Sequence, residues 1–400
     1  MTPKPSSNFI ASILKNADAV LLALYSFWLI RVPLLAPDYD QHTLFIQNYS
    51  CPITQEFYQP HFLLFRFIWL ITLGTCNYNA ILLALQIVVS IFIGIKYAII
   101  KKKIEEVFLS NNKEGRNPFW TDTTIALAVI FFTLFLSISI SIPNYLLIKN
   151  RWLYVYIINP NCWHNSTYLV MLPFSILLFF QGFKLINDPD RKNILLTILL
   201  VFLNIFIKPV YFLSFAPVFF LFTFYFNRLS KKFVLSLIPL FFGGLCLLFQ
   251  LFILSKNIYS GGGRGIRLDF FALFAEHYGS IWMFLFSLIF AFAFPIAFYI
   301  LNPEFARNKE SVFCFLTTLL SLLIVLLFIE DGTRLTAGNF LWGLMASVNI
   351  LFTVAVIFLI KKYKSARFDA GFYLPLLALC LHYLSGFAYI LKILVKGWYT

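Results

Sequence analysis

Charged residues are scarce in this sequence, and the few that could do chemistry fall into a handful of segments. Pro37-Asp38-Tyr39-Asp40-Gln41-His42 sets two carboxylates two residues apart. In an extended turn, Asp38 and Asp40 can hold one divalent cation, Mg or Mn, and through it a diphosphate. Either can instead take a proton as a general base, with His42 as a polar group beside them. The plainer alternative is that both acids solvate a helix end and cap the next turn.

Asn159-Pro-Asn-Cys-Trp-His164-Asn-Ser-Thr leads straight into an apolar run. His164 and Asn165 would stand at that helix N-terminus beside unpaired N–H groups, which suits an anion such as phosphate. Capping by Asn165 and Ser166, with Trp163 at the interface, is the bland reading. Lys208-Pro209 breaks a second apolar run with no acid nearby in sequence. That cation either meets an anionic headgroup or snorkels to the interface. Tyr259-Ser-Gly-Gly-Gly-Arg264-Gly-Ile-Arg267-Leu-Asp269 offers two guanidinium groups able to grip phosphate in a bidentate way. It is not a P-loop, because no Gly-Lys-Ser/Thr follows the glycines. In Glu330-Asp331-Gly-Thr-Arg334-Leu-Thr-Ala-Gly-Asn339, two acids and an arginine must pair with each other or with a ligand. Asn48-Tyr-Ser50 and Asn165-Ser-Thr167 also fit the glycosylation sequon.

The elements that carry these segments follow from composition. Of 400 residues, 60% are hydrophobic and only 12% charged, and the mean hydropathy is +0.84. Soluble domains carry roughly 25% charged residues. A soluble surface, a disordered chain and a disulfide scaffold are therefore excluded, and a nucleic-acid partner is not expected. The expected fold is all-α: one polytopic membrane domain over residues 1–400, in contact with membrane lipids. The apolar runs give about 11 transmembrane helices, near 17–36, 78–100, 122–142, 165–186, 194–207, 210–226, 233–254, 281–301, 311–329, 340–360 and 371–395. Residues 61–74 are too short to span and contain Arg66, which suits a re-entrant or interfacial helix in the first outer loop. Ala17 to Ala36 is too long for a signal-peptide core, so it reads as a first span.

The net charge of +14 has an ordinary origin in cytoplasmic loops. With the N-terminus inside, 18 of the 31 Lys and Arg residues fall on the cytoplasmic face, among them Lys101 to Lys103, Lys231 and Lys361 to Arg367. The long loops, near 37–77, 143–164 and 255–280, then face outward with a short one at 330–339. They hold Asp38, Asp40, Glu56, Asp269, Glu276, Glu330 and Asp331 and four of the five histidines. The six cysteines form no Cys-x-x-Cys pair, but Cys51, Cys76 and Cys162 share the outer face, which leaves a disulfide between two of them open. His382, in the last span, reads as a packed core residue.

Asp38-Tyr39-Asp40 just after the first span, together with the Lys208-Pro209 break, resembles the GT-C superfamily of glycosyltransferases. The arginines of the outer loops make the layout similar also to O-antigen-type polysaccharide polymerases. Both groups use polyprenyl-phosphate or polyprenyl-diphosphate carriers. The resemblance implies a membrane glycosyltransferase of surface-polysaccharide biosynthesis, in a bacterial inner membrane with its active site outside. Its partners would be a lipid-linked sugar donor and a glycan or lipid acceptor. Asp38 or Asp40 would serve as catalytic base or metal ligand. His42, His164, Lys208, Arg264, Arg267, Glu330, Asp331 and Arg334 would bind substrate. A flippase or transporter of a lipid-linked glycan is the alternative; it would need charges lining a path through the spans.

Overall fold

The computed structural model describes residues 17–31, 37–50, 62–109, 118–136, 158–160, 163, 165–256, 266–278, 281–330 and 338–396. The elements are α1 (Ala17–Arg31), α2 (Pro37–Ser50), α3 (Phe62–Ile71), α4 (Tyr78–Leu109), α5 (Pro118–Phe135), α6 (Ser166–Asn187), α7 (Arg191–Ile207), α8 (Val210–Asn227) and α9 (Lys231–Lys256). They continue with β1 (Ile266–Leu268), α10 (Ala272–Tyr278), α11 (Ile281–Ala291), α12 (Ala293–Leu301), α13 (Pro303–Ala306), α14 (Lys309–Leu327), β2 (Phe328–Glu330), α15 (Leu341–Lys364) and α16 (Ala370–Lys396). Among the described residues, seven helices are long and apolar enough to cross a membrane: α4, α6, α8, α9, α14, α15 and α16. This fits an all-α, multi-pass integral membrane protein.

Burial ranks the helices. The apolar stretch of α15 is 89% buried, whereas that of α9 is 28% buried. Helix α15 is therefore the centre of the bundle, packed against α14, α8, α4 and α6, and α9 lies at its rim. Two contacts set the helices around the site. At Gly343 a β-carbon would lie 2.6 Å from the Val210 carbonyl oxygen, so only glycine lets α15 approach the start of α8 this closely. At the α7–α8 break, Pro209 has no N–H to offer the Ile205 carbonyl. Gln250 of α9 supplies the missing donor at 3.0 Å, which satisfies that buried oxygen.

The other end of the bundle is tied by polar clamps. Asn227 donates to the Ile186 carbonyl at 2.8 Å, joining α8 to α6. The Lys362 ammonium donates to Asn302 Oδ1 at 2.5 Å and to Asp369 Oδ1 at 3.0 Å. Asn302 in turn donates to the Gly371 carbonyl at 2.9 Å, so one buried lysine fastens α12, α15 and α16 together. The Lys362 hydrogen bond holds the Asp369 carboxyl below the ordinary carboxylate range.

The structure departs from the sequence reading in three places. Residues 37–50 form helix α2 rather than an extended turn, with Pro37 as the first helical residue and both acids in the first turn. The stretch 281–301 is two helices, α11 and α12, broken at Phe292. A two-stranded antiparallel sheet, not foreseen, pairs Ile266 with Glu330 and Arg267 with Ile329. The short helix α3 and the division of 194–226 at Lys208-Pro209 are as expected.

Candidate functional site

Helix α6 begins with Asn165, Ser166 and Thr167, and each of the three meets a residue from a distant part of the chain. Asn165 is the N-cap: its Oδ1 accepts from the Tyr168 backbone N–H at 2.9 Å, satisfying one of the free donors at a helix start. Its Nδ2 donates to Asp38 Oδ2 at 2.9 Å, across 127 residues of sequence. Ser166 Oγ lies 2.6 Å from His42 Nδ1. Thr167 Oγ1 accepts from the Lys208 ammonium at 3.1 Å and lies 2.7 Å from Asn165 Oδ1, to which it donates.

These bonds run head to tail. The Lys208 ammonium donates to Thr167, Thr167 donates to Asn165, and Asn165 donates to Asp38. A buried cation and a carboxylate are thus joined through two neutral side chains instead of touching. Such a chain polarises in a low-dielectric surrounding, each link strengthening the next. Lys208 is 1% exposed, and its charge also sits 5.3 Å from the centre of the Trp342 ring. The extended backbone of Lys208, the C-cap of α7, turns it into this site. The close approach at Gly343 brings Trp342 there, and Trp342 packs on Tyr168 with ring centres 5.4 Å apart.

Successive residues of a helix lie about 100° apart. On α2 this puts Asp38 and His42 on the side facing α6, Tyr39 on the buried face, and Asp40 beyond it. Asp40 is exposed and accepts from the Tyr78 hydroxyl at 2.6 Å, away from Asn165. The two carboxylates therefore have separate partners on different sides of one helix, which does not fit two ligands of one ion. Among the described residues no cluster of three His, Cys, Asp or Glu could hold a metal. The expected Mg or Mn pair finds no support in this geometry, and no chemical step is derived through it.

Of the remaining candidates, Arg267 lies on β1 and pairs with Asp269 at 2.8 Å, half exposed. Glu330 lies on β2, where Asn339 donates to its carboxylate at 2.6 Å. Leu273, Phe328, Phe340 and Gly338 surround that pair in a small cavity. His164, Arg264, Asp331 and Arg334 lie outside the described residues. Glycosylation at Asn165 does not suit this fold, because its side chain is buried and both of its polar atoms are engaged. Cys76 is disulfide-bonded, whereas Cys246, Cys314 and Cys380 are free. His382 is buried edge-on against Phe352, as a core residue would be.

Sequence reasoning missed three residues. Thr167 and Trp342 are ordinary in sequence and gain a role only by packing beside Lys208. Lys96, 2% exposed within α4, is a buried charge that the apolar run around it concealed. A single lysine inside a span was the available signal. No family model matches the chain, and no curated protein is similar to it in sequence.

Proposed function

We propose that the protein transfers a sugar or oligosaccharide from a polyprenyl-(di)phosphate carrier on the outer face of a membrane, as GT-C glycosyltransferases or O-antigen and capsule polymerases do. The observation that carries this reading is the meeting of Asp38, His42 and Lys208 at the N-terminus of α6. A base, a buried cation and free helix N–H groups stand together where a phosphorylated lipid could reach them from the bilayer. About 11 spans in a bacterial inner membrane, with the basic loops inside, would face this end of the bundle outward.

The chemistry needs one base and one charged cradle. An acceptor hydroxyl attacks the anomeric carbon of the donor sugar, and the carbon–oxygen bond to phosphate breaks. Its electron pair leaves on the polyprenyl (di)phosphate, and the hydroxyl proton passes to Asp38. Lys208 and the start of α6 balance the charge that develops on the leaving phosphate. His42 flanks this point, and His164 would bind substrate with it. Arg264, Arg267 and Arg334 supply further phosphate contacts, and Glu330 and Asp331 hold sugar hydroxyls. Asp40, bound to Tyr78, supports α2 instead of acting as the base.

The test is the glycan profile of cells depleted of the protein and restored with variants. Asp38→Asn and Lys208→Met should fail to restore it, while Asp40→Asn should succeed. Full restoration by Asp38→Asn would remove the proposed base.

One observation favours the alternative of a lipid-linked glycan flippase. Lys96 places a buried charge inside α4, as a transport path requires. If that reading holds, Lys96→Met abolishes movement of the glycan across the membrane and Asp38→Asn does not.

A further inference from the structure

Tyr39 stands between Asp38 and Asp40 and is 1% exposed, among the most completely buried large side chains in the protein. Its hydroxyl finds no hydrogen-bond partner among the described residues. An unpaired buried hydroxyl costs about 1–3 kcal/mol, and phenylalanine would fill the same space without that cost. Other buried hydroxyls left without a partner among the described residues, such as Ser26 and Thr318, lie on helices where a short side chain can turn back to its own backbone. A phenol cannot do this. The backbone of Tyr39 is already employed in a different way, since its carbonyl accepts from Thr43 at 2.7 Å.

The surroundings narrow what the hydroxyl is for. On α2, His42 lies between Asp38 and Tyr39, so the buried face that carries the phenol borders the side that meets Ser166 and Asn165. Burial and the Asp38 charge push the phenol above its ordinary value, so the group stays protonated. A protonated phenol next to Asp38, the carboxylate that meets Asn165 at the start of α6, is a donor without an acceptor, and phosphate oxygens are the strongest neutral-pH acceptors a lipid-linked donor carries.

We infer that the Tyr39 hydroxyl binds a phosphate oxygen of the polyprenyl-linked donor, completing a cradle formed with Lys208 and the start of α6. The inference rests on the glycosyl-transfer reading above. Tyr39 is a substrate-binding residue in it and takes no proton from the acceptor.

The experiment uses the full chain in lipid nanodiscs, with undecaprenyl phosphate and undecaprenol as probes. Tyr39→Phe should leave thermal stability unchanged or raise it, because the removed hydroxyl has no partner in the free protein. It should weaken binding of undecaprenyl phosphate by about tenfold to a hundredfold, the loss of one hydrogen bond to a charged group. Binding of undecaprenol, which lacks the phosphate, should not change. Equal weakening of both probes, or unchanged binding of undecaprenyl phosphate, would overturn the inference. So would a marked loss of stability, since it would mean the hydroxyl already has a structural partner. Asp38→Asn separates the two levels: lost transfer there with unaltered phosphate binding in Tyr39→Phe sinks only the Tyr39 role. Full transfer in Asp38→Asn sinks the parent reading instead.

Discussion

Asp38 and Asp40 differ by two positions, and a helix makes that difference decisive. Asp38 reaches Asn165, whereas Asp40 reaches Tyr78. Transfer activity should fall by about a hundredfold or more in Asp38→Asn, in the range that a positioned general base supplies. Asp40→Asn should keep most of it, and a coupled assay of sugar release distinguishes the two. Thr167→Val tests the relay, since it removes the hydroxyl that accepts from Lys208 and donates to Asn165. It should lower stability by about 1–3 kcal/mol, with Thr167→Ser recovering most of the loss. At this scale the sequence was half legible. Asp38, His42, Asn165 and Lys208 could be picked out by residue type and position near apolar runs. Their grouping could not, because it depends on contacts between segments 41 to 127 residues apart. The helical state of 37–50 did leave a signal, Pro37 followed by two acids, which is a helix start in its own right.

The elements hold the site through two unusual joints. Where α15 meets α8, Gly343→Ala would drive a methyl group against the Val210 carbonyl. The expected cost is about 1–3 kcal/mol of overpacking, with loss of activity because Trp342 moves away from Lys208. At the α7–α8 break, the interruption was visible in Lys208-Pro209. The donor that satisfies the freed Ile205 carbonyl was not, because Gln250 lies in another helix with no local sequence link to the break. The far end of the bundle makes a prediction with a definite sign. Lys362 holds the Asp369 carboxyl below its ordinary value, so this pair stabilises fully above the ordinary carboxylate range. Its contribution is lost as pH falls through the lowered value, when the carboxyl takes a proton. Asp369→Asn should therefore lower the thermal midpoint at neutral pH and flatten the acid limb of its pH profile, with the variant and the wild type converging at low pH. An unchanged acid limb would show that this clamp carries no pH-dependent stability.

For the whole molecule, composition decided the class: a chain with so few charges and so many apolar runs has no soluble surface to build. The alternation of helix ends follows from the same runs, and the proposed direction across the membrane rests on the basic segments. Single cysteines at positions 262 and 333 should accordingly react with an impermeant thiol reagent from outside, and one at position 103 should not. The short sheet of β1 and β2 was beyond the sequence because a three-residue pairing between two loops leaves no periodic signature. The central claim is that this bundle positions Asp38 and Lys208 to move a sugar off a phosphorylated lipid. The most direct measurement is turnover by the purified protein in nanodiscs, supplied with a polyprenyl-diphosphate oligosaccharide and an acceptor glycan, with release of the carrier followed over time. The account predicts carrier release matched one for one by acceptor elongation, and neither in Asp38→Asn. Carrier release and elongation at the wild-type rate in Asp38→Asn would contradict it.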